Sequence, residues 1–95
     1  MKKDFVIVRS HTAGVHAGEF VERNGDTVIL KNSIRLWRWY GGSLSQVAVT
    51  GPARGRNMFG MVVPKTEIVS PQGFEIIYCT EKAEQKIKKV LPWEV

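Results

Sequence analysis

The segment RLWRWY, residues 35–40, concentrates aromatic rings and guanidinium groups that are able to bind a ligand. Because side chains alternate between the two faces of an extended strand, Arg35, Trp37 and Trp39 are expected to project together. Indole rings stack on bases, and guanidinium groups bind phosphates through paired hydrogen bonds. The segment therefore indicates a ligand that carries both bases and phosphates. The alternative is that Trp37 and Trp39 belong to the core and the arginines are solvated.

Upstream, the segment HTAGVHAG, residues 11–18, combines small residues with two histidines. Gly14 and Gly18 let backbone N–H groups approach a phosphate closely, and His16 can stack or donate a hydrogen bond. The glycine spacing differs from that of a P-loop or a dinucleotide fingerprint. The segment is therefore a ligand-binding loop or an ordinary tight connection. A metal site is not expected, because His11 and His16 fall on opposite faces of a strand and no third ligand is evident.

A third candidate feature is the loop that contains Arg54 and Arg56 on either side of Gly55. Both guanidinium groups can converge on one anion there, whereas the alternative is two solvated loop arginines. The predicted ligand-binding residues are Gly14, His16, Gly18, Arg35, Trp37, Trp39, Arg54 and Arg56.

Catalysis is not expected, because the acidic residues are scattered and no Ser-His-Asp, His-Cys or carboxylate-pair spacing occurs. Cys79, the only cysteine, lies at a predicted strand-to-helix junction and is interpreted as a buried inert thiol. We predict a binding protein without cofactor or metal.

The elements that must position these residues are short and mostly extended. An apolar run at residues 5–8 predicts a strand covered on both faces, and Asn24-Gly25 predicts a hairpin. Ser43 is expected to cap a short helix that ends at Gly51, and Thr80 to cap a helix over residues 81–91. Further strands are predicted at residues 19–23, 27–31, 35–40, 58–63, 67–69 and 74–79, with a turn at 70–73. The expected fold is α+β: a small, mainly antiparallel β-sheet or partly open barrel with a short middle helix and a C-terminal helix.

Length and charge limit the classes of protein. The 95 residues are expected to form one domain, 1–95, with a thin core that a second chain would supplement. The net charge of +5 favours an anionic partner. No segment is long and apolar enough to span a membrane, and a single cysteine excludes an internal disulfide. We therefore expect a soluble intracellular protein.

Five segments of the chain carry a recognisable pattern: DFVIVR at 4–9, AGVHAG at 13–18, RLWRW at 35–39, LSQ at 44–46 and EIIYCTEKA at 75–83. Through them, and across most of its length, the chain resembles a widespread family of small bacteriophage proteins. One position departs from the family pattern, because members usually carry Ala-Arg-Arg-Ile-Trp where this chain has Ser-Ile-Arg-Leu-Trp, so Ile34 replaces an arginine.

Within such phage proteins, the chain is similar in size and in its Trp/Arg/Gly-rich segments to the anti-CBASS sponges. That resemblance implies a non-catalytic anti-defence protein in the cytoplasm of an infected bacterium, which sequesters a cyclic nucleotide immune signal. It also implies a homo-oligomer with the ligand pocket between subunits. Two other functions remain open: a single-stranded nucleic-acid binder that uses the same rings as an open platform, and an inhibitor of a host protein that docks through Phe59 and Trp93.

Overall fold

A computed structural model describes residues 3–92 of the chain, which form six strands and two helices around a mainly antiparallel open sheet. This is the predicted α+β class with its middle and C-terminal helices. The elements are β1 (Phe5–Ser10), β2 (Gly14–Asn24), β3 (Thr27–Arg38), α1 (Leu44–Thr50), β4 (Met58–Phe59), β5 (Val63–Val69), β6 (Phe74–Tyr78) and α2 (Glu81–Lys89).

The sheet is organised around β3, which pairs with β2 along one edge and with two short strands along the other. The strand order is β4-β3-β2-β1-β6, and β5 pairs with the first half of β3 while β4 pairs with its second half. The outer strands β5 and β6 follow one another across the predicted turn at 70–73. There the Ser10 hydroxyl donates a hydrogen bond to Ser70 Oγ at 3.0 Å. The sheet therefore curls so that its two edges approach.

Hydrophobic residues pack on both faces of β1, an interior strand between β2 and β6, as its unbroken apolar run predicts. Phe5 and Ile7 face the helices and form the main core, whereas Val6 and Val8 face the inside of the curled sheet. The other buried members of the main core are Ala17, Ile34, Leu36, Leu44, Val47, Ala48, Phe59 and Ile87. The second core is completed by Val28, Leu30 and Ile68.

Both predicted helix caps are confirmed. The Ser43 and Thr80 hydroxyls accept hydrogen bonds from the backbone N–H groups three residues ahead, at 3.3 and 3.1 Å. Gly51, with a φ of +83°, ends α1. The second helix ends at Lys89 instead of the predicted Leu91. No helix within residues 3–92 is long and apolar enough to cross a bilayer.

Three local predictions are wrong. Residues 14–18 belong to β2 and not to a loop, because they complete the ladder with β1. The strand predicted over 58–63 is reduced to Met58–Phe59, and β5 begins at Val63. Phe59 is fully buried in the main core, so it cannot be an exposed docking aromatic. Trp93, its proposed companion, lies outside the described residues.

Candidate functional site

A shallow cleft of about 310 Å³ lies where β2, β3 and the start of β5 meet. We call it the tryptophan cleft. It is lined by His16, Ser33, Arg35, Trp37, Gly60, Met61, Val63 and Thr66. Its size is at the lower end of the roughly 300–1,000 Å³ found for small-molecule sites.

Arg35 and Trp37 form the central pair of this cleft. They are two residues apart on β3, so both project to the same face. The guanidinium carbon of Arg35 lies 4.9 Å from the centroid of the Trp37 ring, within cation–π distance. Arg35 Nη2 also donates a hydrogen bond to the Ala13 carbonyl at 3.3 Å. Trp37 nevertheless remains 57% exposed, so an orientated cation lies beside an accessible ring.

His16 supports the cleft from below and is itself only 5% exposed. Its Nε2 lies 2.9 Å from the Ala13 carbonyl oxygen. Because a carbonyl only accepts, Nε2 carries the hydrogen, and its 3.4 Å contact with Arg35 Nη2 therefore joins two donors. Burial lowers the pKa of His16, the bond to Ala13 opposes this shift, and the charge of Arg35 adds to it. His16 is therefore a neutral support, and too buried to offer an open stacking face.

Trp39 has a different role from Trp37, although strand alternation predicts that they project together. It is half-buried against the main core, and its indole Nε1 donates to the Gly42 carbonyl at 3.2 Å. The reason is that β3 ends at Arg38, after a register irregularity between Leu36 and Arg38 in the ladder with β4. Beyond the end of the ladder, alternation no longer determines direction.

The two glycines predicted to admit a phosphate serve the backbone of the sheet. Gly14 has a φ of +81° where β2 begins, a conformation that favours glycine. Gly18 faces a bulge in β3, and a Cβ built on it would lie 2.9 Å from the Ser33 Cβ and 3.2 Å from the Lys31 carbonyl oxygen. The close approach of β3 therefore requires a glycine at position 18.

Arg54 and Arg56 lie in a second cleft, separate from the tryptophan cleft. We call it the arginine–lysine cleft. It has a volume of about 580 Å³ and lies between the loop at residues 52–57 and the C-terminal part of α2. Its lining residues are Pro52, Ala53, Arg54, Gly55, Arg56, Asn57, Lys86, Lys89, Val90 and Leu91.

The eight predicted site residues are thus divided among three places. His16, Arg35 and Trp37 share the tryptophan cleft, and Arg54 and Arg56 share the arginine–lysine cleft. The other three, Gly14, Gly18 and Trp39, shape the sheet and the main core.

Several lining residues were not predicted from the sequence. Thr66 reaches the tryptophan cleft because β5 pairs with β3, and its hydroxyl lies 2.6 Å from that of Ser33. Met61 reaches it from the segment between β4 and β5. Lys86 and Lys89 reach the other cleft because α2 packs beside α1. These contacts join distant parts of the chain, so no local pattern indicated them.

The surroundings of Cys79 do not activate its thiol. Burial raises the pKa of the half-buried Cys79 thiol to about 12, and the nearby Glu84 carboxylate adds to the shift. The thiol is therefore protonated at neutral pH and a poor nucleophile. Within residues 3–92, no group of three or more His, Cys, Asp and Glu side chains is placed to hold a metal ion.

Comparison with known proteins identifies a family for the chain. A family model described as a domain of unknown function, DUF6948, matches residues 3–87. No curated protein and no solved structure is significantly similar to the chain.

Proposed function

We propose that this chain, which belongs to the DUF6948 family, binds a cyclic nucleotide signal in the tryptophan cleft and sequesters it without cleaving it. The observation that carries the proposal is the Arg35 guanidinium held over the ring of an accessible Trp37. A base stacks on an exposed indole, and a phosphate binds an orientated guanidinium. The resemblance to phage anti-defence proteins supports a cyclic oligonucleotide as the ligand.

The chemistry of the cleft favours retention of the ligand over its conversion. No carboxylate lines the tryptophan cleft, and the imidazole of His16 is buried and bonded to the Ala13 carbonyl. Hydrolysis of a phosphodiester needs an activated nucleophile or a positioned acid–base pair. The described groups of the cleft bind and orient, so the expected outcome for the ligand is sequestration.

One cleft binds too weakly to act as a sponge. Stacking contributes roughly 1–3 kcal/mol per base, and a charge-assisted hydrogen bond to phosphate about 1.5–3 kcal/mol. Their sum of about 2.5–6 kcal/mol is far below the roughly 12 kcal/mol of nanomolar binding. Two clefts facing one another across a two-fold axis would grip both halves of a cyclic dinucleotide. The proposal therefore includes a homo-oligomer with the ligand between subunits.

The surroundings of the cleft fit such an interface. Met61 and Val63 line the cleft with Trp37, and together with Val62 they form an exposed apolar run in which Met61 has 69% of its surface accessible. Contiguous exposed apolar side chains mark interaction surfaces. A second copy placed there would also exclude water from the Arg35 guanidinium and strengthen its contact with phosphate.

Binding to cyclic di- and trinucleotides by isothermal titration calorimetry tests the proposal. Trp37→Ala and Arg35→Gln should each weaken binding at least tenfold, because each removes one of the two contacts. Arg38→Gln is the matched control. It removes the same charge from the same strand, at the position next to Trp37, but Arg38 does not line the cleft. Denaturation of the complex should release the ligand intact. Equal losses in Arg35→Gln and Arg38→Gln, or no binding across the panel, would reject the proposal.

The oligomer is tested separately by light scattering on the purified protein, with and without ligand. We expect more than one subunit, and Met61→Glu should yield monomers that bind ligand weakly, because a charge is then buried in the interface. A monomer that binds with nanomolar affinity would contradict the shared pocket.

A further inference from the structure

The arginine–lysine cleft gathers four cations from two distant parts of the chain. Arg54 and Arg56 come from the loop after α1, and Lys86 and Lys89 from α2. No acidic residue lines this cleft, and none of the four cations forms an ion pair within residues 3–92. Lys88, by contrast, binds the Glu84 carboxylate at 2.6 Å. The cleft therefore has a concentrated positive charge that the described part of the chain does not neutralise.

The loop that carries the two arginines is fixed in place. Asn57 accepts a hydrogen bond from the Tyr40 N–H at 2.8 Å and donates one to the Ala53 carbonyl at 3.0 Å. Ala53 N–H donates to the Tyr40 carbonyl at 2.9 Å. Gly55 packs on the Tyr40 ring so closely that a Cβ there would lie 2.7 Å from it. The guanidinium groups thus extend from an ordered backbone, which lowers the entropy lost when they bind.

The helix side of the cleft is fixed in a similar way. The stem of Lys86 lies against Gly51, where any larger residue would place its Cβ 2.7 Å from that stem. Thr80, the N-cap of α2, donates its hydroxyl hydrogen to the Val49 carbonyl at 2.6 Å. Compensation of the helix dipole accounts for lysines in the last turn of α2, but it does not account for two arginines opposite them.

We propose that the arginine–lysine cleft is a second binding site, for ligands that present several neighbouring phosphate groups. Guanidinium groups bind phosphate oxygens in pairs and lysines add point charges, so four cations match a short run of phosphates. The same chemistry is offered by an extended phosphodiester backbone and by a compact polyphosphate. This site does not depend on the tryptophan cleft, which supplies the stacking surface.

The test is the salt dependence of binding to a fluorescein-labelled decathymidylate, followed by anisotropy. Four phosphate contacts to a single strand give a slope of about −2.8 in log affinity against log salt, or about a 50-fold loss between about 50 and 200 mM. The double variant Arg54→Gln/Arg56→Gln should halve the slope and reduce that loss to about sevenfold. Lys86→Gln/Lys89→Gln should reduce the slope by the same amount, because it removes the two cations on the opposite side of the cleft.

Lys65→Gln/Lys82→Gln is the matched control, since it removes two exposed charges that line neither cleft. It should keep the slope of the native protein, and so should Trp37→Ala. Competition by inorganic tripolyphosphate would assign the site to compact polyphosphates, and its absence to the extended backbone. The proposal is overturned if the control loses as much slope as the cleft variants, or if neither probe binds.

Discussion

At the scale of single residues, the two tryptophans of β3 and its extension show how neighbouring rings acquire different roles. Trp37 is solvent-accessible and forms a cation–π contact with the Arg35 guanidinium. Trp39 packs on the main core, and its indole N–H donates a hydrogen bond to the Gly42 carbonyl. A ligand therefore has much more of the Trp37 ring available to it than of the half-buried Trp39 ring. Stability and binding should therefore respond to different substitutions.

We expect Trp39→Ala to lower the free energy of unfolding by about 2 kcal/mol, somewhat less than for a fully buried tryptophan. Trp37→Ala should lower it by at most about 1 kcal/mol, because only an exposed cation–π contact is lost. Urea denaturation followed by circular dichroism measures both. Equal losses would mean that Trp37 is a core residue and would remove the basis of the proposed function.

His16 should make the stability of the fold depend on pH. Burial lowers its pKa in the folded protein below the unfolded value of 6.5, so the unfolded chain binds the proton more readily. The contribution of neutral His16 to the free energy of unfolding is thus complete above pH 6.5, and it is lost as the pH falls through the folded pKa. Urea titrations between about pH 5.5 and 7.5 should show this loss in the native protein and in the control His11→Gln, but not in His16→Gln. An unchanged slope in His16→Gln would contradict the assignment.

At the scale of elements, β3 positions Arg35 and Trp37, the central pair of the candidate site. Its first half pairs with β5 and its second half with β4, while its exposed face presents Arg35 and Trp37. The bulge at Asn32, which has a φ of +49°, lets the long strand bend between these partners. Asn32 tolerates this conformation better than most residues and donates to the Glu19 carboxylate at 3.1 Å.

Gly18→Ala should disturb this bend. The added methyl group would meet Ser33 and the Lys31 carbonyl, and the strain should lower the free energy of unfolding by about 1–3 kcal/mol. Gly60→Ala is the control, since a Cβ there meets Arg35 at an ordinary 3.7 Å. Chemical denaturation of both variants measures the difference. If Gly18→Ala is as stable as the native protein, β2 and β3 are not as close as described.

At the scale of the whole molecule, the curled sheet creates two cores and leaves the binding features on its outside. The helices cover one face, and the curl itself covers the other. The fully buried Ser70 links the turn after β5 to the end of β1. Its hydroxyl donates a hydrogen bond to the Gly73 carbonyl at 2.7 Å and accepts one from the Ser10 hydroxyl. Such a buried link between distant strands stabilises the global fold.

Ser70→Ala should therefore lower the free energy of unfolding by about 1–3 kcal/mol, because the buried Ser10 hydroxyl and the Gly73 carbonyl each lose a hydrogen-bond partner. Ser45→Ala, at an exposed position of α1, should change it by less than about 0.5 kcal/mol. Thermal unfolding of the two variants provides the comparison. A small effect at Ser70 would indicate that the turn at 70–73 does not hold the curl together.

The predictable part of the fold was encoded in short stretches of chain. The capping hydroxyls of Ser43 and Thr80, the hairpin at Asn24-Gly25 and the interior strand at residues 5–8 were each recognised from neighbouring residues. These signals are local because caps and tight turns satisfy backbone groups within a few positions. The joint projection of Arg35 and Trp37 followed in the same way from strand alternation.

The site itself depended on contacts between distant residues. The sequence determined which rings and cations the chain carries, and that Arg35 and Trp37 share a face. Only the tertiary structure decided that Trp39 packs inward, that Ile34 occupies the core, and that Arg54 and Arg56 lie opposite Lys86 and Lys89. The physical reason is that burial and charge clustering depend on how strands pair and helices pack, and pairing across tens of residues leaves no periodic signal in the chain.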